Sequence, residues 1–274
     1  MRNRWGGVLL LAVAVASGCK READPQPVSP PAVQSPATPA APRPQAVVLK
    51  DVVENTPGYV IGISYPPGAA AYPQPLSAAL QQFADAGRAE LMEAVQALGA
   101  TKPTAPYDMS LSFTEQVNTP TILAIAADGS VYTGGAHGNP LMARFVWLPQ
   151  QQTLLTASDL IADAAAWKPV SDYVREQLHT ALSQRVDADK LEPALRAEVV
   201  RSAGKLIDSG TQPRPEDFAQ FEPVMGPDGR IAALRFVFPP YQVGPYSDGE
   251  QRVEVPASLL RPLVAESHRA LFED

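Results

Sequence analysis

Cysteine and histidine are scarce in this chain of 274 residues: there is one cysteine, Cys19, and three histidines, His137, His179 and His268. A single thiol allows no disulfide within the chain, and a metal site built wholly from cysteine is impossible. The histidines lie far apart, and none belongs to an HxxxH or HxxE pattern, so the sequence holds no metal-ligand spacing. Nucleophile signatures are missing as well. No GxSxG occurs, no glycine-rich phosphate loop precedes a helix, and the SxxK at Ser202 lacks its SDN and KTG companions. Acidic residues are scattered rather than paired. His179 and His268 fall on predicted helix surfaces beside charged neighbours, where a lone histidine is expected to be solvated. The expectation is no catalytic residue, no metal and no cofactor. An enzyme assembled in space from distant positions stays open as the alternative.

Long apolar runs are also few. The first nineteen residues, MRNRWGGVLLLAVAVASGC, have the layout of an export signal, with Arg2 and Arg4 before an apolar run from Val8 to Ala16. That run is too short to span a bilayer, which takes about 20 residues, and no later segment has eighteen consecutive apolar residues. The segment ASGC resembles a bacterial lipobox, with Ala16 where leucine is commoner. Residues 1–18 are then a signal peptide and Cys19 is lipidated, which would hold the chain on a membrane surface. A plain secreted protein with one free thiol is the other reading. Lys20 after the cysteine favours the outer membrane, facing the periplasm. Taking Arg2 and Arg4 from the 22 basic residues leaves 20 against 29 acidic ones. That excess of acid argues against nucleic acid, which demands a basic face.

Residues 25–44, PQPVSPPAVQSPATPAAPRP, hold eight prolines in twenty positions and no aromatic. Such a stretch cannot bury enough apolar surface to fold, so residues 19–45 read as a tether from the lipid, about 3.1 Å per residue where extended. The body begins at Ala46. Residues 58–66 alternate Tyr59, Ile61, Ile63 and Tyr65 as a half-buried strand. From Pro75 to Leu98, Leu76, Leu80, Phe83, Leu91, Val95 and Leu98 share one helical face, with Gly99 as the stop. Residues 107–116 alternate again, and strands flank the glycine-rich segment 132–140. Later come a short strand and a helix at 152–161 that Ser158 could cap, and a helix on Trp167, Val170, Val174, Leu178 and Leu182. A further helix over 192–207 is placed on Leu195, Val199 and Leu206. A hairpin turned at Asp228-Gly229 and a strand running into a terminal helix from Ser258 complete the chain. The grouping predicts an α+β fold with mainly antiparallel sheet packed by helices, in two closely associated subdomains.

YTGGAHGNP (132–140) followed by ARFVWLPQQQTLLTASDLI, and later FVFPPYQVGPYSDGEQRVEVPASLL (236–260), together resemble the C-terminal domain of RsiV-type anti-sigma factors. Residues 47–131 are similar, at a lower level, to the domain preceding it there and in the peptidoglycan deacetylase PdaC. The resemblance implies a division at 46–140 and 141–274 and a non-catalytic extracytoplasmic sensor. In the RsiV family that sensor binds lysozyme. It does not carry over anti-sigma activity, because a lipobox and tether stand where RsiV has its cytoplasmic segment and transmembrane helix. PdaC keeps its hydrolytic motifs, Asp-Asp and HxxxH, in a separate domain with no counterpart here.

His137 sits among Gly134, Gly135 and Gly138, so two roles compete for it. Gly134 and Gly135 admit backbone angles closed to other residues, and Gly138-Asn139 suits a tight turn with positive φ. On that reading His137 is held by a turn carbonyl or a neighbouring strand. On the other, the loop is for recognition and presents His137 and Tyr132. Tyr241 and Tyr246 divide in the same way, between packing a loop onto a sheet and forming a contact patch. The candidate binding residues are Tyr132, Gly134, Gly135, His137, Asn139, Tyr241 and Tyr246. The expected partner is a lysozyme-like muramidase or peptidoglycan; an envelope hydrolase or a structural accessory of an envelope complex are the alternatives.

Overall fold

A computed structural model describes residues 46–99, 103 and 105–274; Cys19, the signal segment and the tether lie outside the described residues. Residues Gln45–Asp274 form one compact unit. Six strands make the first sheet in sequence order: β1 (Val52–Asn55), β2 (Tyr59–Ser64), β3 (Tyr107–Asn118), β4 (Leu123–Tyr132), β5 (Asn139–Leu148) and β6 (Thr153–Leu154). Every neighbouring pair is antiparallel except β2 and β3, which run parallel. That one parallel pair needs a long connection, and α1 (Gln74–Leu98) supplies it. Proline at the start and Gly99 at the end bound α1, and it turns Leu76, Leu80, Ala84 and Leu91 into the core. Met109, Leu111 and Phe113 alternate down β3 to meet it. Gly87 lets the helix lie close, since a Cβ there would stand 2.8 Å from Leu141 and 3.0 Å from Met109.

β4 breaks the alternation. Leu123 to Ala127 are all buried, because α1 covers one face of the sheet and the second core covers the other. Ala124, Val146 and Leu148 point into that second core. A three-stranded antiparallel sheet, β7 (Phe221–Met225), β8 (Ile231–Phe238) and β9 (Gln251–Pro256), supplies much of the rest. Around it lie α2 (Ala157–Leu160), α3 (Trp167–Ala188), α4 (Pro193–Gly210) and α5 (Ala257–Leu260). Trp167 stacks on Phe218 at 5.2 Å, and Phe236 meets Phe218 edge-on at 5.3 Å. The α+β class is as expected, and the hairpin between β7 and β8 turns at Gly229, with φ of 80°.

Five local expectations differ from the structure. Thr156, not Ser158, caps α2, in a capping box closed by Asp159. The terminal helix is broken: α5 starts after Pro256 rather than at Ser258, and a 3-10 segment, Glu266–Leu271, follows a turn. The face of α4 is rotated, so that Ala203, Gly204 and Ile207 are buried while Leu195 is 52% exposed. Small residues carry that contact because α4 lies close against α3, where the Cε1 of His179 would stand 3.2 Å from a Cβ on Gly204. His268 is not solvated: it lies in the 3-10 segment and is 6% exposed. Finally, positive φ falls on Gly134 and Gly135 but not on Gly138 or Asn139, since Asn139 already pairs with Val131 as the first residue of β5.

Candidate functional site

The segment 133–138 joins β4 to β5, and its conformation rests on two glycines. Gly134 and Gly135 have φ of 98° and 101°, angles at which a Cβ would be strained. The Tyr132 hydroxyl donates to the Gly135 carbonyl at 3.2 Å and closes the turn on itself. Asn139 donates through Nδ2 to Glu90 on α1 at 3.0 Å, tying the hairpin base to the helix. His137 is left exposed at the tip.

A second loop, residues 239–250, comes to meet it. Gln242 anchors that loop by donating Nε2 hydrogens to the carbonyls of Gly210 at 2.9 Å and Asp217 at 2.8 Å. Val243 is buried beneath it. A Cβ on Gly210 would sit 2.0 Å from the Gln242 carbonyl oxygen, so the glycine ending α4 permits this approach. Tyr241 takes φ of 74°, rare for a residue with a side chain, and its N–H donates to Gly244 at 3.0 Å. It projects outward, 55% exposed. Tyr246 opens a 3-10 turn whose Asp248 pairs with Arg185 of α3 at 2.8 Å.

Two motifs 104 residues apart in sequence meet here. The Tyr241 hydroxyl lies 2.9 Å from His137 Nε2. The Tyr246 ring stacks on the imidazole, centroids 3.8 Å apart and planes 11° from parallel. On the other side of the ring, His137 Nδ1 is 3.2 Å from the Gly138 carbonyl. A carbonyl only accepts, so Nδ1 carries a hydrogen, while the tyrosine hydroxyl is able to donate to Nε2 or to accept from it. His137 is therefore held at both nitrogens, stacked on one tyrosine and bonded to another. No carboxylate hydrogen-bonds to it among the described residues. The arrangement is a small aromatic platform at the surface carrying polar groups, with His137 and Tyr241 exposed and Tyr246 half-buried.

Of the residues expected from sequence, His137, Tyr241 and Tyr246 are brought together; Gly134, Gly135 and Tyr132 shape the turn beneath, and Asn139 faces away toward α1. Gln242 was missed, although its place between the two tyrosines in PPYQVGPY hints at an anchor. Arg144 was missed too. It is the only charge in the apolar strand LMARFVWL, and its side chain is 1% exposed. Its Nε donates to Glu222 at 2.6 Å and its Nη1 to Asp128 at 2.8 Å, while Nη2 has no hydrogen-bond partner among the described residues and faces Glu250 at 3.7 Å. Glu222 turns its other oxygen to Arg235 at 3.3 Å. This buried group links the two sheets.

Two family models match the chain. Residues 52–140 match the model described as Deacetylase PdaC, and residues 158–258 match the one described as Protein of unknown function (DUF3298). A stretch similar to the PdaC model is thus followed by one similar to the DUF3298 model. Among curated proteins none matches it. A crystal structure of a DUF3298 family protein from Pseudomonas aeruginosa PAO1 is 17% identical, with 82% of this chain and 96% of that one covered and a TM-score of 0.50. That likeness is one of fold. A DUF3298 family member from Bacteroides fragilis NCTC 9343 is 13% identical over 80% of this chain and 94% of its own, with a TM-score of 0.44.

Proposed function

We propose that this chain is a non-enzymatic, lipid-anchored cell-envelope protein. Its body, on the periplasmic side of the outer membrane, binds a wall-associated ligand, either a lysozyme-like muramidase or peptidoglycan. The observation that carries the reading is the meeting of His137, Tyr241 and Tyr246 in one exposed platform. Aromatic side chains with a polar handle, set on anchored loops, give contact area at little cost in lost freedom, as interface anchors do. The acidic balance of the chain suits a basic protein partner and steers its encounter. The matched model's name is a distant hint of deacetylase chemistry. Among the described residues no group of three His, Cys, Asp or Glu is placed to hold a metal.

The test is binding of a lysozyme and of purified peptidoglycan to the full chain in detergent. His137→Ala, Tyr241→Ala and Tyr246→Ala leave the formal charge at neutral pH unchanged. Each is expected to weaken binding by about 1 kcal/mol or more while the unfolding temperature barely moves, because the platform is exposed. Weakening by salt alone is no support, since any acidic protein attracts a basic one. Wild-type affinity in all three variants makes the platform purely structural. Failure of the wild type to bind either ligand removes the reading.

A further inference from the structure

At the opposite end of the first sheet lies a second concavity, a cleft of about 390 Å³. Strand β4, ten residues long, starts beside this cleft and ends at the His137 hairpin, so the two places are about 30 Å apart. The cleft falls within the volume range of ligand sites. Pro67, Pro73, Pro149, Leu123 and the edge of the buried Trp147 make its apolar walls. One wall is the segment before α1, which turns at Gly68 with φ of 98° and packs Ala69 inward. The other is the turn from β3 to β4, where Thr119 Oγ1 takes the amides of Thr121 and Ile122 at 3.3 and 3.0 Å.

The polar group set in this frame is Glu115. Its Oε1 accepts from the Tyr72 hydroxyl at 2.5 Å, and its Oε2 accepts from Asn118 Nδ2 at 3.0 Å. Both partners are neutral, the carboxylate is exposed at the mouth of the cleft, and no cation stands within 4.0 Å of it among the described residues. This is unlike Glu54, Glu222 and Glu254, each paired with arginine. Burial, and then the bond to Glu115, push the Tyr72 phenol well above its ordinary range, which keeps it a donor. Two neutral donors thus aim a carboxylate without neutralising it. Each oxygen keeps a lone pair for a further donor.

We propose that this cleft is a second binding site, which takes a lysine or arginine side chain of an extended peptide with Glu115 as its counter-ion. The aliphatic stem of such a side chain lies on the proline and leucine walls while its head group reaches the carboxylate. A cation fits better than a sugar, because the uncompensated charge is the one feature a neutral ligand would leave unanswered. The site is independent of the His137 platform, and neither needs the other to be right.

The probe is a capped tripeptide, acetyl-Ala-Lys-Ala-amide, titrated into the isotope-labelled full chain in detergent, with amide shifts at Gly68, Asn118 and Thr119 as the readout. Saturable shifts at those amides are expected, weakening as salt rises. The same peptide with norleucine in place of lysine should bind at least about fivefold more weakly, and Glu115→Gln should weaken the lysine peptide to a similar extent, as for an exposed ion pair. Glu176→Gln, an equal change of charge on the exposed face of α3, should leave the affinity as it was. Tyr72→Phe should weaken binding less than Glu115→Gln, since it loosens the carboxylate without removing it. The proposal is overturned if the lysine peptide gives no saturable shift, if norleucine or Glu115→Gln binds equally well, or if Glu176→Gln weakens binding as much. Shifts at the same amides with chitooligosaccharides but not with the peptide would make it a glycan site instead and would also overturn it.

Discussion

Burial holds the His268 imidazole below the ordinary histidine range, against the opposing pull of Asp159, and its Nδ1 has no hydrogen-bond partner among the described residues. The folded state therefore favours the neutral ring, while the unfolded chain takes up a proton near pH ~6.5. A folded value depressed below the unfolded one gives stability that is full above that pH and drains away as pH falls beneath it. Chemical denaturation at pH 7.5 and 5.5 should show this loss, at most about 1.4 kcal/mol per pH unit from this group. In His268→Leu the acid-side loss should be smaller; equal losses in both proteins would mean the ring is not the source. His268 also shows why one residue could mislead in sequence. Charged neighbours suggest a solvated helix face, but the segment is a 3-10 turn that rotates the ring inward.

Among the elements, β4 carries a very close backbone approach. A Cβ on Gly129 would lie 2.0 Å from the Ser110 carbonyl oxygen and 2.8 Å from the Leu111 Cα, all backbone of β3 that cannot swing aside. Gly129→Ala should therefore destabilise the protein by about 2–3 kcal/mol, as overpacking does. Gly62 on β2 is the control, since a Cβ there meets nothing within 4 Å. Gly62→Ala should be neutral or slightly stabilising, because alanine loses less freedom on folding. Similar unfolding temperatures for the two variants would show that β3 and β4 are not held this tightly. The strands themselves were legible in sequence because a half-buried strand writes its alternation into the residues, as β2 and β3 do. Helix ends were less so. Thr156 and Ser158 are both able caps, and only the backbone decides which side chain faces the free amides.

For the whole molecule, the second core draws Ala124, Val146 and Leu148 from the first sheet together with Phe236, Val255 and Leu260 from the second sheet and α5. A core shared in this way predicts one unfolding transition, coincident by far-ultraviolet and near-ultraviolet circular dichroism, although two family models divide the chain. Arg144→Met should lower the stability by about 3 kcal/mol, the low end for breaking a buried pair, because Arg235 still faces Glu222. The loss should appear in that single transition. Two separate transitions, or an effect confined to one of them, would show that the sheets fold independently.

Composition and periodicity were enough to set the α+β class, the positions of nearly all strands and long helices, and the glycine-rich segment around His137, while the family resemblance singled out the one around Tyr246. Those are local properties: alternation, helical spacing and glycine or proline punctuation act within a few residues. What only the tertiary structure decided was contact across the chain. The β2–β3 pair is parallel because α1 lies between them, Arg144 finds Glu222 across two sheets, and the Tyr241 hydroxyl meets His137 from 104 residues away. No local pattern encodes such pairings, since they depend on how whole sheets pack. Even so, each is made possible by single residues, Gly210 under Gln242 and the glycine pair before His137, that let the backbone come close enough.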